Sequence, residues 1–206
     1  MDIDNIIQQV KNYEATLLNE KQIQNYAVLL PLLEKNGETH LLFEVRSIQM
    51  RSQPGDVCFP GGKVEKTDKD EKHGALRETS EELGIPIKQI SDVYPLDVMA
   101  LSLDRIIYPF IGKLPPHIEL QPNKHEVAEI FTIPVNFLLE NKPKKYKVTL
   151  KAIPEEDFPY HLIVGGKDYD WSHRTIYQYF YTYGEYVIWG LTAKIILNFL
   201  HILKQT

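Results

Sequence analysis

Three carboxylates, Glu78, Glu81 and Glu82, stand at positions i, i+3 and i+4. Residues at these spacings share one face of a helix. Like charges stacked there repel, so the helix is worse off for them unless something positive lies between. Hard divalent cations such as Mg²⁺ take oxygen ligands of this kind and commonly act together with substrate phosphates. A solvated acidic face is the alternative for an isolated E-x-x-E-E. The neighbours here favour a metal site: Arg77 precedes the cluster, Gly84 follows it, and Phe59-Pro60-Gly61-Gly62 forms a turn upstream. Glycines at 61 and 62 let the backbone pass close to a ligand, and a free carbonyl there can join the metal ligands.

These residues need a helix, a glycine turn and a sheet to hold them. The helix is expected from about Asp70 to Leu83, ended by Gly84 as a C-terminal cap. Tyr26 to Leu33 is too continuously apolar for a one-sided helix and reads as a buried strand within Gln24 to Glu34. Asn36-Gly37 then turns the chain into a strand from Thr39 to Arg46. Asp56 to Phe59 is short and strand-like. Val93 to Ser102, Ile106 to Leu114 and Val127 to Ile133 read as further strands, with a short helix from Pro134 to Glu140. An amphipathic helix is expected over residues 3 to 18, and a final apolar helix from about Gly184 to Lys204. Between them, Lys144 to Val164 is aromatic, basic and Pro-punctuated, with strand-like pieces at 146 to 153 and 160 to 164. Mixed strands with a central helix and a flanking C-terminal helix make an α/β sandwich. No linker or repeat divides residues 1 to 206, so one domain is expected.

Composition narrows the function classes. A hydrophobic share of 43% and a charged share of 25% fit an ordinary globular chain. The net charge of −5 argues against a surface that coats nucleic acid. It leaves room for a phosphate ligand, because a cation supplies positive charge locally. The one cysteine, Cys58, excludes an intramolecular disulfide and fits a reducing compartment. Its apolar, strand-like surroundings suit buried filler better than a nucleophile. Met1-Asp2-Ile3-Asp4 is acidic where a signal peptide needs basic residues, and no apolar run reaches the roughly 20 residues that span a bilayer. The expected location is the cytoplasm, with no membrane partner.

The acidic motif resembles the Nudix box, G-x5-E-x7-R-E-U-x-E-E-x-G-U, where U is aliphatic. Arg77 to Ile85 follows the second half, except that Thr79 takes the first U position. In the first half, Gly62 lies fifteen residues before Arg77 instead of fourteen, and Asp68 stands where Glu is usual. The stretch Arg46-Ser47-x3-Arg51-x3-Gly55-x-Val57-Cys58-Phe59-Pro60-Gly61-Gly62 is similar to the segment marking Nudix coenzyme A diphosphatases, which share the insertion. Ile188-Trp189-Gly190-Leu191-Thr192-Ala193 resembles the end of that branch.

The resemblance implies a Nudix-type α/β/α sandwich with a mixed sheet, and metal-dependent hydrolysis of a nucleotide diphosphate. It assigns Mg²⁺ or Mn²⁺ to the Gly61 carbonyl, Glu78 and Glu82, with Glu81 beside them. It implies that Arg77 holds a carboxylate of the cluster in place. The general base is left between the helix, with Glu81, and a later loop, with Glu126 preferred to Glu129. His125 is given no part. Arg46 and Arg51, five residues apart, can face the anionic end of a nucleotide, with Lys63 a weaker phosphate contact. Coenzyme A, with its extra 3′-phosphate, or an acyl-coenzyme A is the implied substrate. Another Nudix substrate (ADP-ribose, a dinucleotide or an oxidised nucleoside triphosphate) and a non-catalytic ligand sensor are the alternatives. The aromatics of residues 141 to 183 can shape a pocket, stack an adenine, bury a homodimer interface or simply pack the core.

Overall fold

The computed structural model describes residues 2–18, 22–102 and 104–205. Its organising element is β1 (Gln24–Lys35), whose apolar run buries alternate side chains on opposite sides. Ala27, Leu29 and Leu33 point one way, and Val28, Leu30 and Leu32 the other. Asn36 (φ 55°) and Gly37 (φ 78°) are both left-handed and turn the chain tightly into β2 (Glu38–Arg46). The register runs from Lys35 opposite Glu38 to Leu32 opposite Leu41. Two left-handed turn residues match the twist of a hairpin, which is why Asn-Gly marks one.

The sheet runs β3 (Val57–Cys58), β2, β1, β7 (Arg105–Lys113), β5 (Ser91–Pro95). β4 (Gly61–Lys63) joins β1, β6 (Met99–Ser102) joins β7, and β8 (Val127–Pro134) joins β2. β1 and β7 are parallel, while the other pairs in this sheet are antiparallel. The sheet is therefore mixed.

A helix covers each face. α2 (Glu71–Leu83) starts at Asp70, whose side chain accepts a hydrogen bond from the His73 N–H at 2.7 Å. It ends at Gly84, whose φ of 66° suits the left-handed cap. Ala75 and Leu83 pack with Ala27, Leu29, Leu42 and Phe110. On the other face, α4 (Gly190–Leu203) buries Ala193, Ile196, Phe199 and Leu200 against Leu30, Leu41 and Phe43. α3 (Val135–Glu140) adds Val135 and Leu138 to that side. The result is the expected α/β/α sandwich.

Several boundaries differ from the sequence reading. α1 covers Ile3–Val10 and stops there instead of reaching residue 18. The apolar rhythm Ile3, Ile6, Ile7, Val10 would continue at position 14, which is Glu. The expected strand 93 to 102 is two strands, β5 and β6. Residues 160–162 form a 3₁₀ turn instead of a strand. The final helix begins at Gly190, not near 184. Gly184 (φ 57°) closes a hairpin between β10 (Arg174–Tyr183) and β11 (Tyr186–Ile188). With β9 (Lys144–Leu150) they form a second, three-stranded sheet, absent from the sequence reading except for β9. Tyr177, Tyr179, Tyr181 and Tyr183 stand at every second residue of β10, a period-two signal that the sequence reading did not use.

Candidate active site

The glycine turn and α2 meet in direct contact. Gly61 has φ 150°, and a Cβ there would lie 2.3 Å from the Ala27 carbonyl oxygen. Only glycine fits that approach. Its N–H donates to Glu82 Oε2 at 2.7 Å. A Cβ on Gly62 would fall 2.5 to 2.7 Å from the carboxyl atoms of Glu78. The two glycines thus form the floor on which the Glu78 and Glu82 carboxylates rest.

Glu82 is only 4% exposed. Burial pushes its carboxyl up to about 8, against the pull of the Gly61 N–H, and the charges of Glu78 and Glu126 add to the rise. Burial also raises Glu78, opposed by the adjacent Arg77 guanidinium. Glu81 is different: its side chain is 58% exposed and it touches Arg77 at 3.3 Å.

Arg77 pairs with the cluster and also with a carboxylate outside it. Its Nε and Nη2 donate to the two oxygens of Asp68, each at 3.0 Å, and the Asp68 side chain is fully buried. Nη1 reaches Glu78 at 2.9 Å, and Nη2 donates to the Lys63 carbonyl at 3.1 Å. Asp68 also accepts from the Glu65 N–H at 2.9 Å and lies 2.9 Å from His73 Nδ1. The departure of Asp68 from the usual glutamate is therefore the anchor of the arginine. Thr79, the other departure, is buried and donates its hydroxyl to the Ala75 carbonyl at 2.7 Å. A hydroxyl satisfied within its own helix costs little in an apolar position.

A loop pinned to α2 carries Glu126. The Gln121 and Asn123 N–H groups donate to the carbonyls of Leu83 and Glu82, both at 2.9 Å. Ser47 N–H donates to the Glu126 carbonyl at 2.7 Å, and Asn123 Nδ2 donates to Glu126 Oε1 at 3.3 Å. Glu126 is close enough to raise Glu44, Glu78 and Glu82. Glu129 sits apart, opposite Val45 in the sheet, and accepts from the Tyr186 hydroxyl. Val45 packs into the α4-side core, so Glu129 faces away from α2. His125 is exposed.

The predicted cations divide similarly. Arg46 is half-buried, with Nε donating to the Ser52 carbonyl at 3.2 Å, and lies near the acidic cluster. Arg51 and Lys63 are exposed. Burial pushes the Cys58 thiol up to about 12, which fits filler and not a nucleophile. Sequence reasoning missed Glu44, a fully buried carboxylate on β2 with an unpartnered oxygen.

Beside the glycine turn lies a cavity of about 330 Å³, lined by Arg46, Gly61, Phe59, Gln178, Trp189 and Lys194 among others. Trp189 stacks on Phe180 with ring centroids 5.8 Å apart. Thr192 donates to the Val57 carbonyl at 3.0 Å and ties the start of α4 to β3. Residues Trp189 to Thr192 thus build a wall of this cavity.

The donor set suits a hard cation: oxygen atoms only, with Glu78 and Glu82 both raised, first by burial and then by neighbouring carboxylates. Among the described residues, no three His, Cys, Asp or Glu side chains converge closely enough to enclose a metal. Mg²⁺ seldom needs that, being held by one or two carboxylates with waters and phosphates.

The NUDIX domain family matches residues 24–153. The chain belongs to the Nudix hydrolase family. It is similar to the peroxisomal coenzyme A diphosphatase NUDT7 of Mus musculus, 34% identical over 182 residues, covering 88% of this chain and 71% of that one. It is 33% identical to the mitochondrial coenzyme A diphosphatase NUDT8 of Homo sapiens, covering 82% and 65%. An uncharacterized Nudix hydrolase, NudL of Photorhabdus laumondii, is 36% identical over 82% of this chain and 80% of its own. A MutT/nudix family protein from Enterococcus faecalis shares the fold at a TM-score of 0.54 and 12% identity, over 99% of this chain and 70% of that one. Among the described residues, no helix is long and apolar enough to cross a membrane.

Proposed function

We propose that this Nudix hydrolase is a divalent-metal-dependent diphosphatase of coenzyme A or acyl-coenzyme A. Its products are 4′-phosphopantetheine, or the acyl form, and adenosine 3′,5′-bisphosphate. The observation that carries the reading is the buried Glu82, bonded to the Gly61 N–H, with Glu78 and Glu126 beside it and a cavity across the turn. Similarity to two coenzyme A diphosphatases supports the substrate.

Glu78, Glu82 and the Gly61 backbone would hold Mg²⁺ or Mn²⁺, with Glu81 at the exposed rim. When bound, the metal draws charge from the diphosphate and lowers the pKa of a water. Glu126, on its pinned loop, accepts a proton from the attacking water. Arg77, fixed by Asp68, keeps Glu78 turned to the glycine floor. In the cavity, Arg46 and Lys194 meet phosphate charge, and Trp189 offers a face to the adenine. Arg51 and Lys63 are solvent-facing cations available to the substrate's phosphates.

The test is a comparison of coenzyme A, its 3′-dephospho form and ADP-ribose, each with Mg²⁺ and with Mn²⁺. A charge-assisted contact to the 3′-phosphate, worth ~1.5–3 kcal/mol, gives coenzyme A a kcat/KM advantage of roughly 10–150-fold. Equal rates on the first two, or a preference for ADP-ribose, would move the assignment to another Nudix substrate.

A further inference from the structure

Glu44 is a buried carboxylate on a strand where its neighbours are apolar. It is 1% exposed, between Phe43 and Val45 on β2. Side chains alternate along a strand. Leu42 packs with Ala75 and Leu83 of α2, whereas Phe43 packs in the α4-side core. Glu44, two residues beyond Leu42, therefore points to the α2 side, where Glu82 lies. Across the ladder it stands opposite Cys58 and Ile130, neither of which can pair a charge.

No hydrogen bond reaches its Oε1, and among the described residues no ion pair joins it to a cation. Arg46 is the nearest positive influence, but its Nε is bonded to the Ser52 carbonyl. Glu82 and Glu126 add further negative charge around it. An uncompensated buried carboxylate is expensive, and such groups in native proteins are paired or coordinate a metal. One divalent cation between the strand and α2 would compensate Glu44 and Glu82 together.

We propose that Glu44 is a ligand of the divalent cation, meeting it from the sheet side while Glu82 meets it from α2. This rests on the metal reading of the α2 carboxylates given above. It extends the site from the helix to β2, adding a strand carboxylate to the oxygen ligands that Mg²⁺ and Mn²⁺ ordinarily take.

The experiment measures Mn²⁺ binding to metal-stripped protein without nucleotide, following free Mn²⁺ by electron paramagnetic resonance. Wild type, Glu44→Gln and Glu82→Gln are compared after each is shown to be folded. Wild type is expected to bind, Glu82→Gln to lose binding, and Glu44→Gln to bind at least fivefold more weakly. A change below fivefold in Glu44→Gln, with binding lost in Glu82→Gln, overturns the role of Glu44 and leaves the α2 site standing. No Mn²⁺ binding by wild type overturns both. Crystals of unaltered protein soaked in Mn²⁺ give an answer even if Glu44→Gln misfolds. An anomalous peak in contact with the Glu44 carboxylate supports the proposal, and a peak touching only α2 carboxylates overturns it.

Discussion

Asp68 and Glu82 lie close to the same helix and are driven in opposite directions. The Arg77 guanidinium beside Asp68 holds its carboxyl well below the usual range, whereas burial pushes Glu82 up to about 8. A depressed carboxylate stabilises the fold above its ordinary value near 3.8, and that contribution is lost as pH falls below it. Asp68→Asn should therefore cost about 1–3 kcal/mol at neutral pH, because the Arg77 fork and the Glu65 N–H lose a charged acceptor. Denaturant titrations of both proteins should show this gap at neutral pH and its shrinking below 3.8. A gap that stays constant into strong acid would show that the pair does not contribute through charge. The two loop glutamates part in the same way. Glu126→Gln should lower kcat by roughly 10²–10⁴-fold at saturating Mg²⁺ with little change in thermal stability. Glu129→Gln, facing Tyr186 on the other side of the sheet, should change kcat less than threefold, about 0.7 kcal/mol at most. If neither substitution lowers kcat tenfold, the base lies on the helix and Glu81 is next to test.

At the scale of elements, what the sequence disclosed followed how local each signal is. α2 was readable because its caps, Asp70 and Gly84, and its acidic face all lie within one short stretch. The Asn36-Gly37 hairpin was readable for the same reason. Glu44 was not, because its burial depends on the alternation of β2 and on α2 crossing above, neither of which appears in its neighbours. Asp68 passed as a mere departure from a pattern until its bonds to Arg77 were visible. β10 and β11 escaped although Tyr177, Tyr179, Tyr181 and Tyr183 alternate along β10, because the apolar run from Val187 merged the end of the hairpin with α4. α1 is the converse case, a clear pattern with nothing to pack on. Ile3, Ile6, Ile7 and Val10 are each at least 47% exposed, and none of its residues is buried. Removing residues 2–18 should leave the thermal midpoint within about 2 °C, since ~1 kcal/mol of lost burial would shift it by roughly 2–4 °C. A larger fall would show that α1 is covered in solution.

For the whole molecule, the two helices divide the work. α2 and the loop before β8 bring carboxylates to one side of the glycine turn, and α4 with the second sheet walls a cavity on the other. Gly61 belongs to both, bonded to Glu82 and lining the cavity. The account stands or falls on whether water hydrolyses the diphosphate bond with the help of a divalent cation that the α2 carboxylates would hold. The direct measurement is chromatographic resolution of products from coenzyme A and Mg²⁺, with wild type, wild type in excess EDTA, and folded Glu82→Gln. The predicted result is equal amounts of 4′-phosphopantetheine and adenosine 3′,5′-bisphosphate from wild type, abolished by EDTA and lowered by orders of magnitude in Glu82→Gln. Full turnover in EDTA or in the variant, or cleavage at any other bond, would contradict it.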